Sequence, residues 1–194
     1  MDSLLKCFGI FLLLRLASSQ GQDLTTQVGA YGSSVVTATL SRIQQSGIFP
    51  SDNQLLRRIA YVETRDGTDP ETYRDGYDGG IWAVDLDLLE ATQNTTQYQG
   101  LIDLHQNINS SFSIQWSSVQ WSDLRRPLYS ALAARLYTYT VSEPIPISSE
   151  IESQAVYWRT YYNSLGNTSE FVALVNQLEA QRGLLYIDGL QILA

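Results

Sequence analysis

Cysteine occurs once in this chain, at Cys7, and it lies inside an apolar run that extends to Leu16. Lys6 precedes that run, and the small residues Ala17 and Ser19 follow it two positions apart, which is the order of a secretory signal peptide. The spacing predicts cleavage near Ser19, with residues 1–19 as leader. The run is far below the ~20 apolar residues of a membrane span. A cleaved product would carry no Cys, Met or Lys, because the single copy of each lies in this leader. A secreted chain of this kind cannot staple itself with disulfides, so its stability has to come from packing.

The length suits one domain: 194 residues can bury a sizeable core and are too few for two ordinary ones. Hydrophobic residues at 44% and charged residues at 16% exclude a disordered tail. Without the leader, 19 acidic residues face 10 arginines, a balance of −9. Nucleic acid and anionic membrane surfaces are therefore poor partners, and no membrane contact is expected after signal cleavage. His105 is the whole histidine supply, read as a surface or satisfied helix position. No metal or cofactor is implied. Three sequons, at Asn94, Asn109 and Asn167, mark candidate glycosylation sites on the surface and favour a secreted, extracellular glycoprotein.

Helical spacing dominates the rest. Apolar residues from Thr25 to Ser46 fit a first helix, stopped by Gly47. Ser51 and Gln54 have the spacing of a capping box for a second helix running to about Thr64, and a third is expected near Asp85. Pro127 opens a helix with Leu128, Leu132 and Leu136 four apart, and Glu143-Pro144-Ile145-Pro146 ends it. Ser149 with Glu152 gives another capping box, ahead of a stripe of Ile151, Ala155, Trp158 and Tyr162. A last helix carrying Phe171, Leu174, Val175 and Leu178 is expected to stop at Gly183. The Gly, Asp and Tyr residues between Arg65 and Gly80 suit turns and a small hairpin near 72–84. The fold class expected is mainly α with that one small β element.

Glu63 stands out on the second helix. It follows Leu56 and Ala60 at i+7 and i+3, so its carboxylate shares their apolar face. Burial and the negative helix end both disfavour the charged form and raise its pKa, as a glycosidase acid requires. The competing reading pairs Glu63 with Arg57, Arg58 or Arg65. Trp82 is the aromatic residue placed nearest a cleft; Trp116, Trp121 and Trp158 are assigned to packing.

Glu63-Thr64 at a helix end, a Gly- and Asp-rich turn, and then Gly79-Gly80-Ile81-Trp82-Ala83-Val84-Asp85 resemble the signature of the lysozyme-like superfamily, goose-type lysozymes and lytic transglycosylases in particular. Tyr162-Asn163, after Gln154-Ala155 and Trp158, resembles the Tyr-Asn helix that lines the transglycosylase groove. The resemblance implies an α+β lysozyme-like domain over residues 20–194, with the hairpin beside the cleft. It implies Glu63 as general acid, Asp75 and Asp85 in the places of the acidic residues that hold the attacking water, and Tyr162 and Asn163 against substrate, a β-1,4-linked N-acetylhexosamine polymer such as peptidoglycan or chitin. Asp78 rivals Asp75; Asp75-Gly76 is also a good turn pair, and Asp85 a good N-cap. Ala83 stands where the family has a cleft-lining Gln, and the acidic balance is unlike that of wall-degrading lysozymes. These two departures suit a second reading, a non-catalytic matrix or carbohydrate-binding protein on the same scaffold. Oligomeric state is not legible in the sequence.

Overall fold

The computed structural model describes the backbone of residues 22–191, with side chains to 181. The expected leader, with cleavage near Ser19, lies outside the described residues. Seven α-helices occur among them: α1 (Ser33–Gln45), α2 (Leu55–Thr64), α3 (Leu86–Gln93), α4 (Leu101–Phe112), α5 (Pro127–Thr140), α6 (Ile151–Tyr161) and α7 (Thr168–Gln191). Short 3-10 turns at Leu24–Thr26, Pro70–Tyr73, Trp116–Ser118 and Trp121–Arg125 join them. The protein is mainly α. None of the described helices is long and apolar enough to cross a membrane.

α5 is the axis of the core. Leu128, Ala131, Leu132, Ala133, Ala134 and Leu136 are all fully buried, so the helix is apolar on more than one face, as a central helix must be. α1, α2 and α3 pack around it, and α7 packs on α2 and α6. Most of each stripe expected on the last two helices is buried, Ala155, Trp158 and Tyr162 on one and Phe171, Val175 and Leu178 on the other, while Ile151 and Leu174 are half-buried. α4, with Leu101, Leu104 and Ile108 in the core, was not foreseen from the sequence.

Helix boundaries differ from expectation for identifiable reasons. α1 begins eight residues later than Thr25 because Gly29 and Gly32 adopt φ of 73° and 103°. Their N–H groups bond the carbonyls of Arg125 and Asp66 instead of a helix. Ahead of α2 the Asp52 carboxylate, in place of the expected Ser51, accepts from the N–H groups of Gln54 and Leu56, while Ser51 accepts from Asn53. α6 starts after Glu150 with no side-chain cap, so the Ser149–Glu152 box does not form. α7 runs through Gly183 without stopping, a residue that costs a helix only about 1 kcal/mol.

The segment expected as a hairpin forms linked turns. No strand is present among the described residues. Val84 N–H bonds the Gly79 carbonyl and Ala83 N–H the Gly80 carbonyl, which closes a tight loop with no paired strands flanking it. The loop is fixed from outside. Ser130 on α5 donates to the Gly79 carbonyl and accepts from Trp82 N–H, and the Thr64 hydroxyl donates to the Ile81 carbonyl.

Arg57 and Asp66 form a two-pronged ion pair at 2.6 and 2.8 Å, with the Asp66 side chain only 6% exposed. The pair ties the first turn of α2 to the loop that follows the helix. Arg57→Ala leaves a buried carboxylate without its cation, and a loss of about 3 kcal/mol is expected in urea unfolding. The double variant Arg57→Ala/Asp66→Ala should lose less than the sum of its singles.

Candidate active site

α2 delivers Glu63 in its last turn, and Arg65 and Asp66, both at positive φ, turn the chain away at once. The carboxylate is half-buried at the base of a cleft of about 250 Å³. Glu63, Asp85, Tyr77 and Asn163 line that cleft, as do Asp69, Glu71, Thr72 and Arg74.

All three arginines that could have neutralised Glu63 are engaged elsewhere. Arg57 holds Asp66. Arg58, 3% exposed, holds Glu179, Gln154 and the Ser148 carbonyl. Arg65 folds back onto the carbonyls of Tyr61 and Val62. Glu63 is instead held by neutral donors: Trp158 Nε1–H donates to Oε1 at 2.7 Å, and Asn163 Nδ2 lies 3.2 Å from both oxygens. Burial pushes the Glu63 pKa above its ordinary value, and the Asp85 charge adds to that, while the bonds from Trp158 and Asn163 act in the opposite sense.

Each donor is set by packing. The Trp158 ring packs against Phe171 with centroids 5.1 Å apart and the planes tilted by 38°. Gly166 presses on its far edge, where a Cβ would come within 2.1 Å. Asn163 lies two residues past the end of α6, its N–H on the Trp158 carbonyl. Tyr162 is buried and donates to the Trp82 carbonyl at 2.6 Å, which joins the end of α6 to the 79–84 loop.

Across the cleft, Asp85 precedes α3 but makes no side-chain cap bond. Its carboxylate is exposed and accepts from the Tyr77 hydroxyl at 3.3 Å. Tyr77 is braced edge-on by Trp121 at 5.5 Å, and Arg74 stacks on its face at 3.8 Å. Burial and the Asp85 charge raise the phenol pKa, so Tyr77 remains a proton donor at neutral pH.

The residues singled out from sequence therefore separate. Glu63, Asp85, Tyr162 and Asn163 come together. Asp75 is exposed and forms no part of the cleft, and its rival Asp78 pairs with Arg125 at 3.3 Å. Trp82 is fully buried with its indole N–H on the Leu56 carbonyl, so it offers no ring face to a ligand and serves the loop instead. Trp158, assigned to packing, turns out to pack and to touch the acid. No local spacing marks it for that contact, since Asn163 lies five positions on and outside the i+3 and i+4 neighbours of one helix face. Ala83 lines the cleft at φ 48°, a conformation unusual for a residue with a Cβ. His105 is half-buried against the Thr92 carbonyl at 2.9 Å, and Asn94, Asn109 and Asn167 are all exposed.

Trp158→Phe removes a bond that favours the charged carboxylate. The Glu63 midpoint, read by carbon NMR of its carboxyl, should rise further; no change would mean that the indole bond has no influence on the acid.

Comparison of the chain with protein-family models, with curated proteins and with solved structures gives no match.

Proposed function

We propose that the protein is a secreted glycoside hydrolase or lytic transglycosylase of the lysozyme-like type, acting on β-1,4-linked amino-sugar polymers. The observation that carries this reading is a half-buried Glu63 without a cationic partner, held by two neutral N–H donors in a cleft that also presents Asp85. A carboxyl group kept from ionising is suited to protonating a glycosidic oxygen near neutral pH. In the hydrolytic route Glu63 gives its proton to the leaving oxygen as the C1–O bond breaks. Water then adds its oxygen to C1 and passes a proton to Asp85, giving inversion. Proton exchange with solvent resets both carboxyls. Tyr77 orients Asp85, while Trp158 and Asn163 hold Glu63. Glycans on Asn94, Asn109 and Asn167 are proposed as well.

Ala83 favours a second reading, a scaffold that binds carbohydrate without cleaving it. The two are separated by incubating purified protein with chitin oligomers and peptidoglycan beside its Glu63→Gln variant. Cleavage by the wild type alone supports the enzyme; binding without cleavage by either supports the scaffold. Ala83→Gln then asks whether one lost amide silenced the site.

A further inference from the structure

A larger concavity opens at the other end of α2 from Glu63, between α1, the 49–54 loop and α5. Its volume of about 620 Å³ is within the range of small-molecule sites, and it shares no lining residue with the active cleft. Leu40, Ile43, Phe49, Pro50 and Leu56 give it apolar walls, and Arg135 of α5 belongs to the lining. The 49–54 wall is held from behind. Gln154, fully buried, donates to the Asn53 and Pro146 carbonyls, and the Asn53 amide donates to the Ile145 carbonyl.

Two arginines are buried among the described residues, Arg58 at 3% exposure and Arg135 at 4%. Arg58 meets the Glu179 carboxylate, whereas Arg135 has no carboxylate within 4.0 Å among those residues. The Arg135 guanidinium lies at the cavity wall. One nitrogen donates to the Pro50 carbonyl at 2.9 Å, and its carbon is 5.1 Å from the centre of the Phe49 ring, both residues of the lining. The Thr138 hydroxyl accepts from another nitrogen at 3.3 Å, so five N–H donors have two acceptors. Nε–H is among those left over, and it is not enclosed, in contrast to Arg58 Nε, which is both unpartnered and sealed in. Neighbouring ionisable groups do not cancel the charge. Asp52 acts on it from a distance while its oxygens accept from Gln54 and Leu56, and burial pushes the Tyr157 phenol up to about 12, so that it stays neutral. A cation withdrawn from water without a counterion is costly, and an arriving anion offsets that cost.

We propose that this cavity binds a small monocarboxylate with an apolar body, its carboxylate against Arg135 and its chain or ring among Leu40, Ile43 and Phe49. The two oxygens of a carboxylate match the edge of a guanidinium. Asp52 in the same lining, in a chain of net charge −8, disfavours a dianion such as phosphate. The site lies apart from Glu63 and does not depend on the carbohydrate-cleaving reading.

Calorimetry with phenylacetate and hexanoate, beside their neutral amides and inorganic phosphate, tests it. At least one carboxylate should bind about tenfold tighter than its amide or better, and phosphate should not compete. Arg135→Met keeps an unbranched apolar stem and should erase the preference for the acid. Ser41→Trp places an indole in the cavity from α1 with Arg135 intact, and should abolish binding of acid and amide alike. Arg135→Lys keeps the charge without the two-pronged edge and should retain a reduced preference, which keeps the test decisive if the Met variant does not fold. Equal binding of acid and amide, acid binding unchanged in Arg135→Met or Ser41→Trp, or no heat at about 1 mM ligand overturns the inference and leaves Arg135 as a brace between α5 and the Pro50 carbonyl. Tighter binding of phosphate than of either carboxylate overturns it as well.

Discussion

Glu63→Gln should lower turnover of amino-sugar oligomers by about 100- to 10,000-fold, the range that a general acid contributes. The amide keeps the shape and can still accept the Trp158 N–H, but it has no proton to give. Wild-type activity should fall on the alkaline side as Glu63 ionises, because the reaction needs its protonated form. Stability should change in the other direction. Glu63 binds its proton more tightly folded than unfolded, so it lowers stability as pH rises from the ordinary carboxylate range through its own raised midpoint. Gln carries no such penalty. The variant should therefore melt at or above the wild-type temperature at pH 8, with the difference disappearing near pH 3. A variant that melts well below the wild type at pH 8 would mean that Glu63 is a structural residue, and the catalytic assignment would fall.

Gly80→Ala is expected to have the largest effect on folding. Its φ is +66°, and an added Cβ would lie 2.0 Å from the Leu124 carbonyl oxygen and 2.8 Å from Ser130 Oγ. Neither neighbour can yield cheaply: one is backbone at the end of a 3-10 turn, and the other is the buried hydroxyl that fixes the loop to α5. A loss of about 3 kcal/mol or more follows from overpacking together with backbone strain, equivalent to a drop of roughly 6–12 °C in Tm. Gly76→Ala, also at positive φ but with nothing within 4 Å, controls for strain alone and should cost about 1 kcal/mol. Similar melting temperatures for the two variants would show that the close approach at Gly80 is not real.

Helical periodicity in the sequence was enough to place Glu63 on the apolar face of α2, to put the α5 leucines in the core and to predict a mainly helical fold. Those inferences depend on neighbours within two turns of one helix, and such neighbours are fixed by the 3.6-residue repeat. The partners of Glu63 were not legible in this way. Arg57, Arg58 and Arg65 all lie within six positions of Glu63, and each was lost to the carboxylate only because Asp66, Glu179 with Gln154, and the helix-end carbonyls were placed better. Trp158 and Asn163 reach Glu63 from 95 and 100 positions away, and no local pattern encodes such a contact. Asp75 and Asp85 were equivalent as residue types. The Gly79–Val84 loop, clamped by Ser130 and Thr64, carries Asp85 to the cleft and leaves Asp75 in solvent. Helical phase set Glu63 on an apolar face, where burial disfavours ionisation; whether a neighbouring arginine would cancel that effect, and which groups hold and face the carboxylate, depended on where α6, α7 and the clamped loop meet.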